Sequence, residues 1–184
     1  MTAPPGLVNA ANLLTVLRLV LVPVFVVFLV EGGTAWRIAA FVVFLIASVT
    51  DLLDGRVARQ RGLITDFGKI ADPIADKALT GAALVTLSIQ GELAWWVTAL
   101  ILVRELAVTG LRFWVIRRGV IAASRGGKLK TMLQVVAICL YVLPGPPGLL
   151  RDVVMGAAVV VTVVTGADYA VRAVRLHRRE MAGA

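Results

Sequence analysis

Residues 13–30 read LLTVLRLVLVPVFVVFLV, close to the roughly 20 apolar residues that an α-helix needs to cross the hydrocarbon core of a bilayer. Five further runs follow, at 36–50, 70–90, 93–116, 129–143 and 153–174. The second and fifth reach a spanning length only if their helices continue into neighbouring polar sequence. Turn chemistry separates the runs: Glu31-Gly32-Gly33, Gly91, the Gly126-Gly127 pair, and Pro144-Gly145-Pro146-Pro147-Gly148. No linker is long enough for a second domain, so residues 1–184 are expected to form one all-α, six-helix integral membrane domain.

Composition supports lipid as the solvent. Of the 184 residues 59% are hydrophobic, against roughly 45–50% in ordinary soluble chains, and only 16% are charged. Mean hydropathy is +0.90. A water-soluble monomer and a disordered chain are both excluded. The net charge of +8 fits anionic lipid headgroups and phosphorylated substrates, and no nucleic-acid partner is expected. Cys139 stands alone in an apolar run, which permits no internal disulfide. Residues 1–12 lack the pattern of a signal peptide.

Thirteen cations share one side of the predicted topology: Arg56, Arg59, Arg61 and Lys69; Arg117, Arg118, Arg125, Lys128 and Lys130; and Arg172, Arg175, Arg178 and Arg179. The opposite loops carry only Arg37 and Arg151. Basic short loops stay in the cytoplasm, so both termini are expected there, in the cell membrane.

Ionised carboxylates near membrane depth are costly, yet four fall within residues 51–76. Asp51 and Asp54 lie at i,i+3, and Gly68, Asp72 and Asp76 at successive steps of four, so each set shares a helix face. Four acids facing one another repel unless cations hold them. Oxygen-only ligands favour hard divalent ions, and a two-metal site of Mg2+ or Mn2+ suits phosphoryl transfer. Gly55, Ala58 and Gly68 leave room for a nucleotide near the backbone, and Arg59 offers a fork for a diphosphate. Singly, these residues read as ordinary helix ends. That reading leaves the paired acidic faces unexplained.

The pattern D-x2-D-G-x2-A-R-x8-G-x3-D-x3-D, filled by Asp51, Asp54, Gly55, Ala58, Arg59, Gly68, Asp72 and Asp76, resembles without departure the signature of the CDP-alcohol phosphotransferases. The resemblance implies a six-helix, usually homodimeric membrane enzyme that displaces CMP from a CDP-linked lipid with the hydroxyl of a small alcohol. It makes Asp51, Asp54, Asp72 and Asp76 the metal ligands and Asp76 also the general base. Gly55, Arg59 and Thr65 would contact the CDP group. Asn12 and Thr15 fit a family position before the first membrane helix near the cytidine, Asn12 being equally readable as an N-cap.

The acceptor is read from the second half. Arg104 and Arg112 lie eight residues apart in an apolar run, and Arg118, Arg125, Lys128 and Lys130 follow near a helix N-terminus. Together they suit an acceptor with its own phosphate, whereas choline or ethanolamine would be repelled. Arg117, Arg118 and Arg125 read equally as topology signals. Arg104 with Glu105 could serve internal ion pairing, although neighbours at i,i+1 point apart and would need other partners, Asp168 being one candidate for Arg104 or Arg112. These segments resemble the glycerol-3-phosphate branch of the family, which implies CDP-diacylglycerol and sn-glycerol 3-phosphate as substrates. Inositol phosphate or phosphatidylglycerol are alternative acceptors, and a divalent-cation transporter is the alternative from another class.

Overall fold

The computed structural model describes the backbone of residues 10–61, 66–116 and 125–183, and side chains over 13–50, 74–75, 77–111 and 126–175. The described residues form six helices and no strand: α1 (Ala10–Glu31), α2 (Gly33–Arg61), α3 (Asp66–Ile89), α4 (Trp95–Ile116), α5 (Arg125–Val142) and α6 (Gly148–Gly183). Among these residues, three segments are long and apolar enough to cross a membrane: Leu13–Glu31, Gly33–Thr50 and Gly148–Arg175. Over the described residues of α3 the apolar stretch is Lys77–Ile89.

Both short apolar runs are extended as required: α2 continues through the first half of the signature to Arg61, and α5 starts in the basic stretch at Arg125. One predicted break is corrected. Gly126 and Gly127 lie inside the first turn of α5, a position that tolerates glycine at a modest propensity cost. Between α1 and α2 only Gly32 is non-helical. Gly32 and Gly33 have φ of 71° and 76°, the left-handed region that glycine enters without Cβ strain.

The chain forms two compact units. In the first, comprising residues 1–92 and 138–146, α1 packs along both α2 and α3. The α1–α2 seam is marked by Phe25 against Phe44, ring centroids 5.5 Å apart, and Phe28 against Trp36 at 5.2 Å. Helical spacing explains which residues meet there: Phe25 and Leu29 on α1, Ala40, Phe44 and Ala47 on α2, and Ala75, Leu79, Ala83 and Leu87 on α3 are all buried. The alanines let helices approach closely, as lipid-embedded packing requires in the absence of a hydrophobic drive between helices.

The turn after α3 is a Schellman motif. Gly91, φ 75°, donates to the Ser88 carbonyl at 3.1 Å, and the Glu92 amide reaches back to Leu87 at 3.0 Å. This fixes Glu92 beside Arg37 at the start of α2, and Arg37 also donates to the Tyr141 and Val142 carbonyls at the end of α5.

The second unit, residues 93–137 and 147–184, is built on α4 against α6. Val97, Thr98 and Ile101 of α4, and Met155, Ala158, Val159 and Thr162 of α6, form its interior. Outward positions such as Val103, Leu106, Val153, Val160 and Val164 are exposed aliphatics, a surface suited to lipid rather than water.

Candidate functional site

In the first unit the inward stripe of α2 is Ala40, Phe44 and Ala47, a 4-3 spacing. Continuing that spacing gives positions 51, 54 and 58, which are Asp51, Asp54 and Ala58. On α3 the buried stripe Leu79, Ala83 and Leu87 continues backwards through positions 76, 72 and 68: Asp76, Asp72 and Gly68. The acids therefore occupy the same helical phase as the apolar residues that pack these helices together. Gly55 and Arg59 also lie on α2. The side chains of these eight signature residues lie outside the described set, and Thr65 lies outside the described residues altogether.

Asn12 and Thr15 are placed differently from expectation. Both are inside α1, which begins at Ala10, so neither precedes the first helix and Asn12 is not its N-cap. The Asn12 side chain lies outside the described set; Thr15 is buried, 1% exposed, on the packed face of α1. One turn on, on the same face, is Arg18, 2% exposed. Sequence reasoning missed Arg18 by treating 13–30 as a uniform apolar span. The available signal was the one cation in that run, in phase with Phe25 and Leu29.

In the second unit Arg104 is held from several directions. Its Nε donates to the Thr162 carbonyl at 3.1 Å, one terminal nitrogen to Thr165 Oγ1 at 2.8 Å, and the other to Glu105 Oε1 at 2.9 Å. The same Glu105 oxygen accepts from Lys130 Nζ on α5, and Gln134 Nε2 donates to Thr162 Oγ1 at 3.1 Å. The side chains of Arg104, Lys130 and Glu105 are only 16%, 8% and 15% exposed. A carboxylate shared by two cations offsets part of their desolvation cost.

Arg104 and Glu105 pair with each other although they are sequence neighbours. Gly166 makes the room: a Cβ there would lie 3.1 Å from Arg104 Cγ and Nε. Asp168 joins neither Arg104 nor, within the described contacts, any other α4 residue; it pairs with Arg172 one turn on, at 3.0 Å. Of the remaining acceptor candidates, Lys128 is exposed in the first turn of α5, the side chains of Arg112 and Arg125 lie outside the described set, and Arg118 lies outside the described residues. An open cleft lined by Ala99, Leu100, Val103, Arg104, Val163, Gly166 and Ala167 is almost wholly apolar and offers a phosphate few donors.

An all-helical membrane protein whose acids continue the packing stripes of two helices is a member of a known class. The family model for CDP-alcohol phosphatidyltransferase matches residues 8–164, and the chain belongs to that family. It is 57% identical over 172 residues to a protein named probable phosphatidylglycerophosphate synthase from Mycobacterium tuberculosis (strain ATCC 25618 / H37Rv), covering 91% of this chain and 82% of the relative. A CDP-diacylglycerol–glycerol-3-phosphate 3-phosphatidyltransferase of Bacillus subtilis (strain 168) is 38% identical over 180 residues, 88% and 93% of the two chains. The Escherichia coli (strain K12) protein of the same name is 38% identical over 136 residues, 71% and 74%. The chain is thus a multi-pass membrane transferase.

Proposed function

We propose that this protein transfers the phosphatidyl group of CDP-diacylglycerol to sn-glycerol 3-phosphate, giving phosphatidylglycerophosphate and CMP. The observation that carries this reading is the 57% identity, over nine-tenths of the chain, to a relative named for that product. The unbroken signature supports it from the side of the chemistry. The family match, residues 8–164, takes in most of both units, which supports reading the whole chain as one catalytic domain.

The donor set fits hard divalent ions: four carboxylates on two helices of one unit, with no thiol or imidazole in the signature. Asp51, Asp54, Asp72 and Asp76 would hold two of them, Mg2+ or Mn2+, in a family that is generally divalent-metal dependent. Such ions, when bound, neutralise diphosphate oxygens and ease the departure of the nucleotide. Asp76 accepts the proton of the glycerol 3-phosphate hydroxyl. That oxygen bonds to the phosphorus bearing diacylglycerol, the bond from this phosphorus to the bridging oxygen breaks, and its electron pair leaves with CMP. Arg59 and Thr65 hold the diphosphate, Gly55, Ala58 and Gly68 give the nucleotide close access, and Asn12 and Thr15 stand at the same end of α1. The acceptor phosphate is assigned to Arg112, Arg118, Arg125 and Lys128. Arg104 and Lys130, tied to Glu105, brace that half of the chain.

The cation distribution supports both termini and the chemistry lying at the cytoplasmic face of the cell membrane, and the family resemblance supports a homodimer. The test is CMP release by purified protein from CDP-diacylglycerol. Release is expected only with glycerol 3-phosphate and is abolished by a chelator; faster release with inositol phosphate or phosphatidylglycerol overturns the acceptor.

A further inference from the structure

We infer that Arg18, buried on α1 level with Asp51 of α2 and about one turn from the level of Asp54 and Asp76, is a positioning residue of the metal site. It is a built-in cation that offsets part of the quartet's charge before divalent ions arrive. This rests on the function proposed above.

The placement follows from register. α1 and α2 are antiparallel, joined by the single residue Gly32, and Phe25 meets Phe44 across the seam. Arg18 lies seven residues before Phe25, and Asp51 seven residues after Phe44. At 1.5 Å per residue both are about 10 Å along the seam in the same direction, so they stand at one level, with Thr15 and Asp54 about a turn beyond. α1 and α3 run in the same direction, with Gln90 Nε2 bonded to the Leu29 carbonyl at 2.8 Å. The same offset sets Arg18 level with Leu79, and Thr15 level with Asp76.

Burial gives this juxtaposition its meaning. An arginine inside an apolar helix usually extends its head towards the interface. Arg18 does not: it is 2% exposed, on the stripe with Thr15, Phe25 and Leu29 that packs against α2 and α3. A guanidinium there needs negative charge nearby, and clustered carboxylates need positive charge. Lys77 on α3, near the same level, is only half-buried.

The experiment is thermal unfolding of the purified full chain in detergent, in chelator and in excess Mn2+. Arg18→Gln should lower the midpoint in chelator by about 5 °C or more, and Mn2+ should recover most of the loss, so the Mn2+ increment exceeds the wild type's. Arg18→Lys should stay near the wild type. Adding Asp51→Asn to Arg18→Gln should restore part of the chelator midpoint. Equal loss with and without Mn2+, the behaviour expected of Arg37→Gln at the other end of α2, reduces Arg18 to packing and overturns the inference. So does strict additivity with Asp51→Asn. If Arg18→Gln alone does not fold, recovery of folded protein in the double variant supports the inference and its failure counts against it. A wild type that does not respond to Mn2+ overturns the metal site itself, a result distinct from failure of the Arg18 role.

Discussion

Arg37 and Glu92 close the first unit at the end remote from the signature, through a two-pronged ion pair whose second prong measures 2.9 Å. The pair depends on two local devices: the Schellman turn at Gly91 that delivers Glu92, and the Gly32-Gly33 reversal that brings α2 back beside α3. Arg37 spends two further donors on the last carbonyls of α5, orphan acceptors that a helix end otherwise leaves unpaired.

Arg37→Gln should therefore destabilise the protein by about 2 kcal/mol, below the range for fully buried pairs because both side chains keep some exposure. Detergent unfolding midpoints measure this. The double variant with Glu92→Gln should recover part of the loss, and CMP release at low temperature should match the wild type.

Asp76→Asn removes the proposed base while keeping shape. Turnover should fall roughly 100-fold to 10,000-fold, the range of a general base. CDP-diacylglycerol binding, followed by protection against heat, should persist in part. Wild-type turnover in this variant contradicts the assignment.

Chelation should abolish CMP release, and Mg2+ or Mn2+ should restore it. Ca2+, larger and more tolerant in geometry, should restore it poorly. Undiminished turnover in chelator removes the metal role.

Gly166→Ala sets a Cβ against Arg104 at 3.1 Å, so the guanidinium stem must shift and its bond to the Thr162 carbonyl should lengthen. A cost of about 1 kcal/mol is expected, and Gly166→Leu should cost at least about 3 kcal/mol as an overpacking change. Unfolding midpoints of the two variants give the comparison.

Glu105→Gln leaves Arg104 and Lys130 with a neutral partner. The loss should be about 3 kcal/mol, as for a broken buried pair, and Glu105→Gln with Lys130→Met should recover part of it. An additive double variant would mean that Glu105 does not bridge them.

The parts of this molecule legible in sequence are those with a strong local signal. The apolar runs located the six helices of the described residues, because length and hydropathy are properties of a segment alone. The extension of α2 past Thr50 followed from the shortness of its apolar part. Gly126 and Gly127 misled, since glycine marks a turn only where the backbone needs a left-handed residue, and α5 does not. Partners were harder. Asp168 does not pair with Arg104 because an exposed carboxylate takes the nearest cation, Arg172, one helical turn away. The Arg104–Glu105–Lys130 cluster draws on α4, α5 and α6, which no periodicity within one helix reveals. Arg18 was overlooked for the opposite reason: its phase was readable, but its burial depends on two other helices.

Because Ala40, Phe44, Ala47, Asp51 and Asp54 share one angular setting on α2, an inserted residue between Ala47 and Asp51 would swing the acids about 100° around the axis while leaving hydropathy untouched. Such a chain would still enter the bilayer, span it and count as intact by composition. Asp51 and Asp54, the proposed metal ligands, would then leave the angular setting of that stripe, so what this lineage must inherit is a count of residues as much as their kinds.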